Sequence, residues 1–255
     1  MNWEFTDVHC HIIPNVDDGS PDLETSLRMV DEAYDEGIRR MIATPHFGII
    51  NPQYDPDRVR ENYDELVKAV AERHPDMKIY MGNELFVAPG YSDGLSDGMS
   101  NTLAGSNYVL VEFPDDADYD MIYHEFRRIM LNGYTPIFAH AERYIHAYEN
   151  IKGLQSLRNQ GVLIQVNSNS ICSGRQASGG LKKLLGMTEE WERVESFVHE
   201  MLKAGLVDFV GTDCHDMPGR QPRMRAVADK MTEVIGEEAT RRILVDNPML
   251  LVEKQ

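Results

Sequence analysis

Short apolar, β-rich runs alternate with longer amphipathic ones from one end of this chain to the other. The short runs fall at 5–11 (FTDVHCH), 39–46 (RRMIATPH), 77–86 (MKIYMGNELF), 107–113 (NYVLVEF), 135–142 (TPIFAHAE), 162–169 (VLIQVNSN) and 207–215 (VDFVGTDCH). Their length and composition predict strands. The stretch between the first two predicts a helix. Ser20 can cap it, Pro21 suits its first position, and Leu23, Leu27, Val30 and Tyr34 share one face, with Gly37 as the stop. Residues 56–73 repeat the helical period through Val59, Tyr63, Leu66, Val67 and Val70. A further helix is expected over 119–131, ended by Gly133, and others over 150–160, 188–204 and 222–245.

Strand followed by helix, about seven times, implies βα units and a parallel sheet that closes or nearly closes into a barrel. No linker interrupts the pattern, so residues 1–255 are expected to form a single α/β domain. Two Gly/Ser-rich stretches, 87–106 and 168–182, each follow a strand. On a barrel that position is the rim, where active-site loops lie.

Composition narrows the partners. The net charge is −17, from 42 acidic and 25 basic residues, which repels nucleic acid and anionic membrane surfaces. Cys10, Cys172 and Cys214 are too few, and odd in number, for a disulfide framework. No basic-then-apolar leader precedes Asp7, and no apolar run has the length to span a bilayer. The expectation is a cytoplasmic globular protein.

The chemistry sits at the strand ends. His9 and His11 are two apart on one side of the first strand, and Asp17 and Asp18 follow in VDDG. His46 ends the second strand, Glu84 and Glu112 lie near the ends of the third and fourth, His140 ends the fifth, and Asp213 and His215 end the seventh. One histidine ending a strand is most often structural, and His74, His124, His146 and His199 are left at that reading. Carboxylates buried at strand ends are different, because unpaired buried charge needs a compensating cation. Lysine and arginine are nearly absent from these strand ends, so metal ions are the natural partner. Imidazole mixed with carboxylate suits Mn²⁺, Fe²⁺ or Zn²⁺ better than Ca²⁺ or Mg²⁺. The candidates outnumber what one ion can use, and two or three ions fit, some bridged by a carboxylate such as Glu84. Clustered metals of this kind serve phosphoryl transfer. Arg143 in HAERY and Arg220 after the seventh strand could hold the phosphate through paired guanidinium donors.

A competing signature runs through the same stretch. Cys214 and Arg220 spell C-x5-R, the spacing of cysteine-dependent phosphatases. Their phosphate cradle needs successive backbone N–H groups, and Pro218 removes one of them. Strand alternation also turns Cys214 away from Asp213 and His215, so the thiol should be packed behind the site.

In order, DVHCH, VDDG, ATPH, GNE, VEF, AHAERY and TDCHD resemble the PHP (polymerase and histidinol phosphatase) metallohydrolase family. The match is closest to its bacterial manganese-dependent protein-tyrosine phosphatase branch, associated with capsule and exopolysaccharide synthesis. The resemblance covers nearly the whole chain, from Asp7 to Asn247–Pro248. It implies a distorted (β/α)7 TIM-like barrel of the PHP fold, with a trinuclear site at the C-terminal ends of the strands. By motif, it makes His9, His11, Asp18, His46, Glu84, Glu112, His140, Asp213 and His215 the metal ligands, and Arg143 and Arg220 the phosphate-binding arginines. It also implies Mn²⁺ as the metal, a phosphotyrosine-bearing tail of a bacterial tyrosine autokinase as substrate, and in-line attack by a metal-bridging hydroxide with no phospho-enzyme. Three readings compete with this one: a histidinol-phosphate type of small-molecule phosphatase on the same fold, a cysteine phosphatase using Cys214, and a non-catalytic module. The last predicts missing ligands or arginines, and none is missing.

Overall fold

The computed structural model describes residues 3–87, 94–145, 151–172, 187–215 and 220–253, with 187–190 described in backbone only. Among the described residues nine strands form: β1 (Phe5–Cys10), β2 (Ile38–Ala43), β3 (His46–Phe47), β4 (Lys78–Met81), β5 (Glu84–Phe86), β6 (Tyr108–Glu112), β7 (Thr135–Phe138), β8 (Leu163–Asn167) and β9 (Phe209–Gly211). Every pairing between them is parallel, in the orders β1-β2-β4 and β3-β5-β6-β7-β8-β9. The second and third strands expected from sequence are each broken in two, at Thr44–Pro45 and at Gly82–Asn83. Counting β2/β3 and β4/β5 as one position each, the seven expected strand positions are present.

The ring closes between its first and last members. The His11 N–H donates to the Cys214 carbonyl (2.9 Å), and the Asp213 N–H donates to the His9 carbonyl (2.8 Å). Cys10 and Cys214 face each other across this seam as an isolated parallel bridge. The result is the distorted seven-stranded α/β barrel that the alternation predicts.

Helices α1 (Leu23–Asp35), α2 (Pro56–Arg73) and α3 (Tyr119–Leu131) follow the apolar periodicity. Each is capped by an aspartate whose carboxylate accepts a first-turn N–H: Asp22 from Thr25, Asp55 from Asp57 and Arg58, Asp118 from Met121. The expected Ser20 cap is thereby corrected. Asp22 reaches Thr25 N at 2.7 Å, while the Ser20 hydroxyl bonds to the Asp22 carbonyl, which leaves Pro21 ahead of the helix. Gly37 and Gly133 take left-handed backbone (φ 89° each) just past α1 and α3.

The long helix expected over 222–245 is also corrected. It runs Arg225–Ile235, breaks at Gly236 and resumes as Glu237–Arg241. A π-turn over Arg242–Asp246 and a last helix, Asn247–Val252, complete it. That last helix supplies Leu251 and Val252 to a cluster drawn from Val8, Ile42, Leu110, Ile137 and Phe209, one residue from each of five strands. A larger apolar layer packs the remaining strand faces against the helices.

At Gly211 the barrel wall leaves no room for a side chain. A Cβ there would lie 2.5 Å from His9 Cβ and 3.0 Å from Gln165 Nε2. Gly211→Ala is therefore expected to cost about 1–3 kcal/mol of stability through overpacking. Urea unfolding should show a lower midpoint at unchanged slope.

Candidate active site

Glu84 is the centre. It opens β5, and its side chain is 1% exposed. Its Oε2 lies 3.1 Å from His9 Nε2, 3.3 Å from His11 Nε2 and 3.1 Å from His46 Nδ1, and its Oε1 lies 2.9 Å from His140 Nε2. Glu112, the last residue of β6, joins from one side at 3.3 Å from His140 and 3.6 Å from His46. Asp213 Oδ1 joins from the other, 3.5 Å from His9, 3.7 Å from His11 and 3.4 Å from His215 Nδ1. Asp18 closes the rim, its Oδ1 3.4 Å from both His46 Nε2 and His215 Nε2. All nine sequence-predicted ligand candidates thus meet at one end of the barrel. Both predicted arginines arrive there too, donating to the same Asp213 Oδ2 from Arg143 Nη2 (2.5 Å) and Arg220 Nη2 (2.9 Å).

Local backbone explains the convergence. His9 and His11 flank Cys10 at the end of β1, so strand alternation puts the imidazoles on one side and the thiol on the other. After the break at Thr44–Pro45, His46 restarts a strand opposite Glu84, in the register that β2 keeps with β4. His140 (φ 31°) and Asp213 (φ 52°) both take left-handed backbone, which non-glycine residues rarely adopt, and both sit just past strand ends. The strain turns the two side chains back over the barrel mouth.

A second layer holds the first, and sequence reading had assigned it no role. The Asp17 carboxylate bonds His11 Nδ1 (2.8 Å) and accepts the backbone N–H of His46 (3.0 Å). Gln165 Oε1 accepts the His140 N–H at 2.8 Å and lies 3.2 Å from His9 Nδ1. Its amide donates to Asn167, whose own amide donates to Asp213 Oδ2 at 2.7 Å. Asp7 accepts both the N–H and the hydroxyl of Thr212, tying β1 to the approach of Asp213. Gln165 and Asn167 left a signal in LIQVN, where two amides alternate along an otherwise apolar strand.

Burial and charge compete at each group. Burial alone would raise Glu84, but the His9 and His46 imidazoles win and hold it well below the usual carboxylate range. Burial would lower His11, yet the Asp17 and Glu84 carboxylates hold it well above its ordinary value. His140 is pushed up to about 9, with Glu112 and Glu84 overcoming burial and the nearby Arg143. Asp213 is lowered by His9 and by Arg143 against its burial, and Asp18 chiefly by its bond to His215. His215 runs the other way, lowered by burial and by its neighbour His11. Asp7, in the second layer, is raised to about 6 by burial, against its bonds to Thr212.

This donor set fits divalent metal. Three groups each bring their ligand atoms within 4.8 Å of one another: His11, Asp18, His46 and His215; His9, His11 and Glu84; His46, Glu84 and Glu112. Buried atoms of the cluster, His46 Nδ1, His140 Nδ1, His215 Nε2, Glu84 Oε2 and Glu112 Oε2, have no hydrogen-bond partner. Orphaned buried donors and acceptors are costly, and a cation shared among imidazole nitrogens and carboxylate oxygens would satisfy them.

The thiol lies behind. Cys214 is fully buried and packs in the main apolar layer with Cys10, whose Sγ–H donates to the Ile42 carbonyl. Pro218, which argues against a cysteine-phosphatase cradle, lies outside the described residues, as does His146.

Comparison with known proteins agrees with this geometry. The family model described as "Capsular polysaccharide synthesis, CpsB/CapC" matches residues 5–253. The tyrosine-protein phosphatase CpsB of Streptococcus pneumoniae is 27% identical over 249 residues, covering 98% of each chain. A solved chain from a study of YwqE from Bacillus subtilis and CpsB from Streptococcus pneumoniae, described as unique metal-dependent tyrosine phosphatases, superposes with a TM-score of 0.83. It is 29% identical, over 98% of this chain and 95% of that one. A histidinol phosphate phosphatase from Lactococcus lactis shares the fold at 14% identity and a TM-score of 0.53, over 92% of this chain and 94% of that one.

Replacing Cys214 by Ser is expected to leave phosphatase turnover within about twofold, while the buried hydroxyl costs about 1–3 kcal/mol of stability. Turnover and thermal midpoint measured on one preparation check both halves. A stable but inactive Cys214→Ser protein would return the thiol to the mechanism.

Proposed function

The chain belongs to the capsular polysaccharide synthesis CpsB/CapC family, and on that footing we propose that it is a metal-dependent protein-tyrosine phosphatase, a phosphoric monoester hydrolase. One observation carries the reading: the imidazole–carboxylate cluster around Glu84 lies beside two guanidiniums that converge on Asp213. His9, His11, Asp18, His46, Glu84, Glu112, His140, Asp213 and His215 would hold two or three divalent ions, Mn²⁺ first, with Fe²⁺ or Zn²⁺ as substitutes. The support is a donor set too large for one ion and lacking any thiolate. Such ions supply a water acidified at neutral pH and positive charge against the phosphoryl oxygens.

The chain's own residues do the rest. Arg143 and Arg220 are 37% and 38% exposed at the side chain, and Asp213 fixes one edge of each guanidinium. The two guanidiniums bind the non-bridging oxygens of the phosphoryl group, a match of planar forks to a tetrahedral anion. Asn167 holds the Asp213 oxygen that both arginines share, so the pair is oriented before substrate arrives. Burial of the Glu84 cluster keeps bulk water from the reacting centre. No side chain has to carry the phosphoryl group.

The substrate in this reading is a phosphotyrosine on a protein, and specifically on the tail of a tyrosine autokinase that controls capsule or exopolysaccharide assembly in the cytoplasm. Among the described residues no helix is long and apolar enough to cross a membrane.

A strong chelator should abolish turnover of a phosphotyrosine peptide, and Mn²⁺ should restore more of it than Zn²⁺ or Mg²⁺ in separate add-backs. Activity that survives chelation would sink the metal mechanism, and faster turnover of histidinol phosphate than of the peptide would move the substrate class. Arg143→Ala is expected to lower kcat/KM on the peptide by about 10²–10³, the cost of losing one preorganised donor to a charged transition state. Arg143→Lys should recover only part of that loss, because one ammonium cannot replace a planar fork.

A further inference from the structure

A cavity of about 410 Å³ opens directly beside the active site, its lining including Asp17, Asp18, His46, Ile50, Pro52 and Arg58. That volume lies within the usual range of about 300–1,000 Å³ for ligand pockets. Asp18 and His46 belong to both the cavity and the metal-fitting cluster, so a substrate whose phosphate sits at the cluster has this space next to its aromatic ring. The wall is fixed. The Asn51 side chain donates to the carbonyls of Val16 (2.9 Å) and His46 (3.1 Å), which ties the 48–53 loop to the rim.

Arg58 stands out in this lining. It lies in the first turn of α2 and donates through Nη2 to the Gln53 carbonyl at 3.0 Å. Its Nε–H is buried and has no hydrogen-bond partner. Among the described residues no carboxylate side chain forms an ion pair with it, in a chain that carries 42 acidic residues. Ile50 flanks it and stays 46% exposed. The combination is a cation with no ion-pair partner among the described residues, in the wall of a half-apolar trough.

From this we infer that the trough is a peptide subsite in which Arg58 recognises a carboxylate side chain flanking the phosphotyrosine, with Ile50 and Pro52 packing against the intervening backbone and stem. The inference rests on the phosphatase reading above and makes it narrower: acidic context near the scissile residue improves binding. Arg58 offers the carboxylate charge-assisted guanidinium donors.

The test uses the Mn²⁺-loaded full chain and phosphotyrosine peptides in which one Asp is scanned from three positions before to three positions after the phosphotyrosine, against an all-Ala peptide. One Asp position should raise kcat/KM about tenfold, through KM, the size of one charge-assisted hydrogen bond. Arg58→Ala should bring that ratio to about one, and Arg58→Glu should transfer the preference to a Lys at the same position. The charge-reversal arm keeps its meaning even if one variant is poorly folded, because it reads a gain. Equal turnover of all peptides by the unaltered chain, or a ratio that survives both substitutions, overturns the subsite. A chain that hydrolyses no phosphotyrosine peptide overturns the phosphatase reading, and the subsite with it.

Discussion

One buried carboxylate governs this structure. Glu84 is fully enclosed, and a lone ionised carboxylate in that position would be prohibitively costly. Four imidazoles, from His9, His11, His46 and His140, surround it within 3.3 Å, and they come from three separate strand positions, those of β1, β3 and β7. The barrel has to bring its strand ends to a single point for this charge to be met at all. Protons on some of those imidazoles can meet it, and cations can meet it better, since they also satisfy ring nitrogens without a hydrogen-bond partner. The second layer follows from the same need. Asp17, Gln165 and Asn167 fix which nitrogen or oxygen of each first-layer group faces inward, the role outer partners play around any demanding polar site.

The sequence made much of this legible, for a physical reason. A parallel barrel exposes only its strand ends to chemistry, so polar residues at the ends of otherwise apolar runs are conspicuous. His9, His11, His140, Asp213 and His215 are visible that way, and the α1, α2 and α3 spans follow from their apolar stripes. The strand breaks were not visible. MIATPH and YMGNEL read as uninterrupted strands, yet Pro45 and Gly82 each mark a place where the chain leaves one sheet and re-enters in the next. At Gly82 a Cβ would lie 2.8 Å from Leu103 Cδ2, a close approach that no periodicity in the sequence reports. The breaks keep the register: His46 stands opposite Glu84 at the same offset that pairs Ala43 with Met81, now in the second sheet.

Other misses share one cause: each depends on a competition that is decided in space. Ser20 and Asp22 can both cap a helix, and the hydroxyl is drawn instead to the Asp22 carbonyl and to Ser26. Gly236 can be tolerated inside a helix, but here it stands at φ 82° and turns the chain so that Leu251 and Val252 reach the strand cluster. The left-handed backbone of His140 and Asp213 has no signature in residue type. It persists because Gln165 and His9 hold the adjacent peptide groups, the Gln165 side chain taking the His140 N–H and the His9 carbonyl taking the Asp213 N–H.

The stretch GTDCHD shows how closely stability and site geometry are joined. The bonds that close the barrel, His11 N–H to the Cys214 carbonyl and Asp213 N–H to the His9 carbonyl, are made by the ligand candidates' own backbones. Closing the seam therefore fixes the separation of His9 and His11 from Asp213 and His215 without further side-chain adjustment. The two cysteines occupy the opposite faces of the same two strand ends, where a small apolar residue packs at no electrostatic cost. A thiolate there would be buried against Asp7 and Asp17, and burial together with those carboxylates keeps the Cys10 thiol firmly protonated. A C-x5-R spacing at this seam is thus a by-product of alternation, with imidazole and carboxylate turned toward the charge at the centre and sulfur turned toward the core.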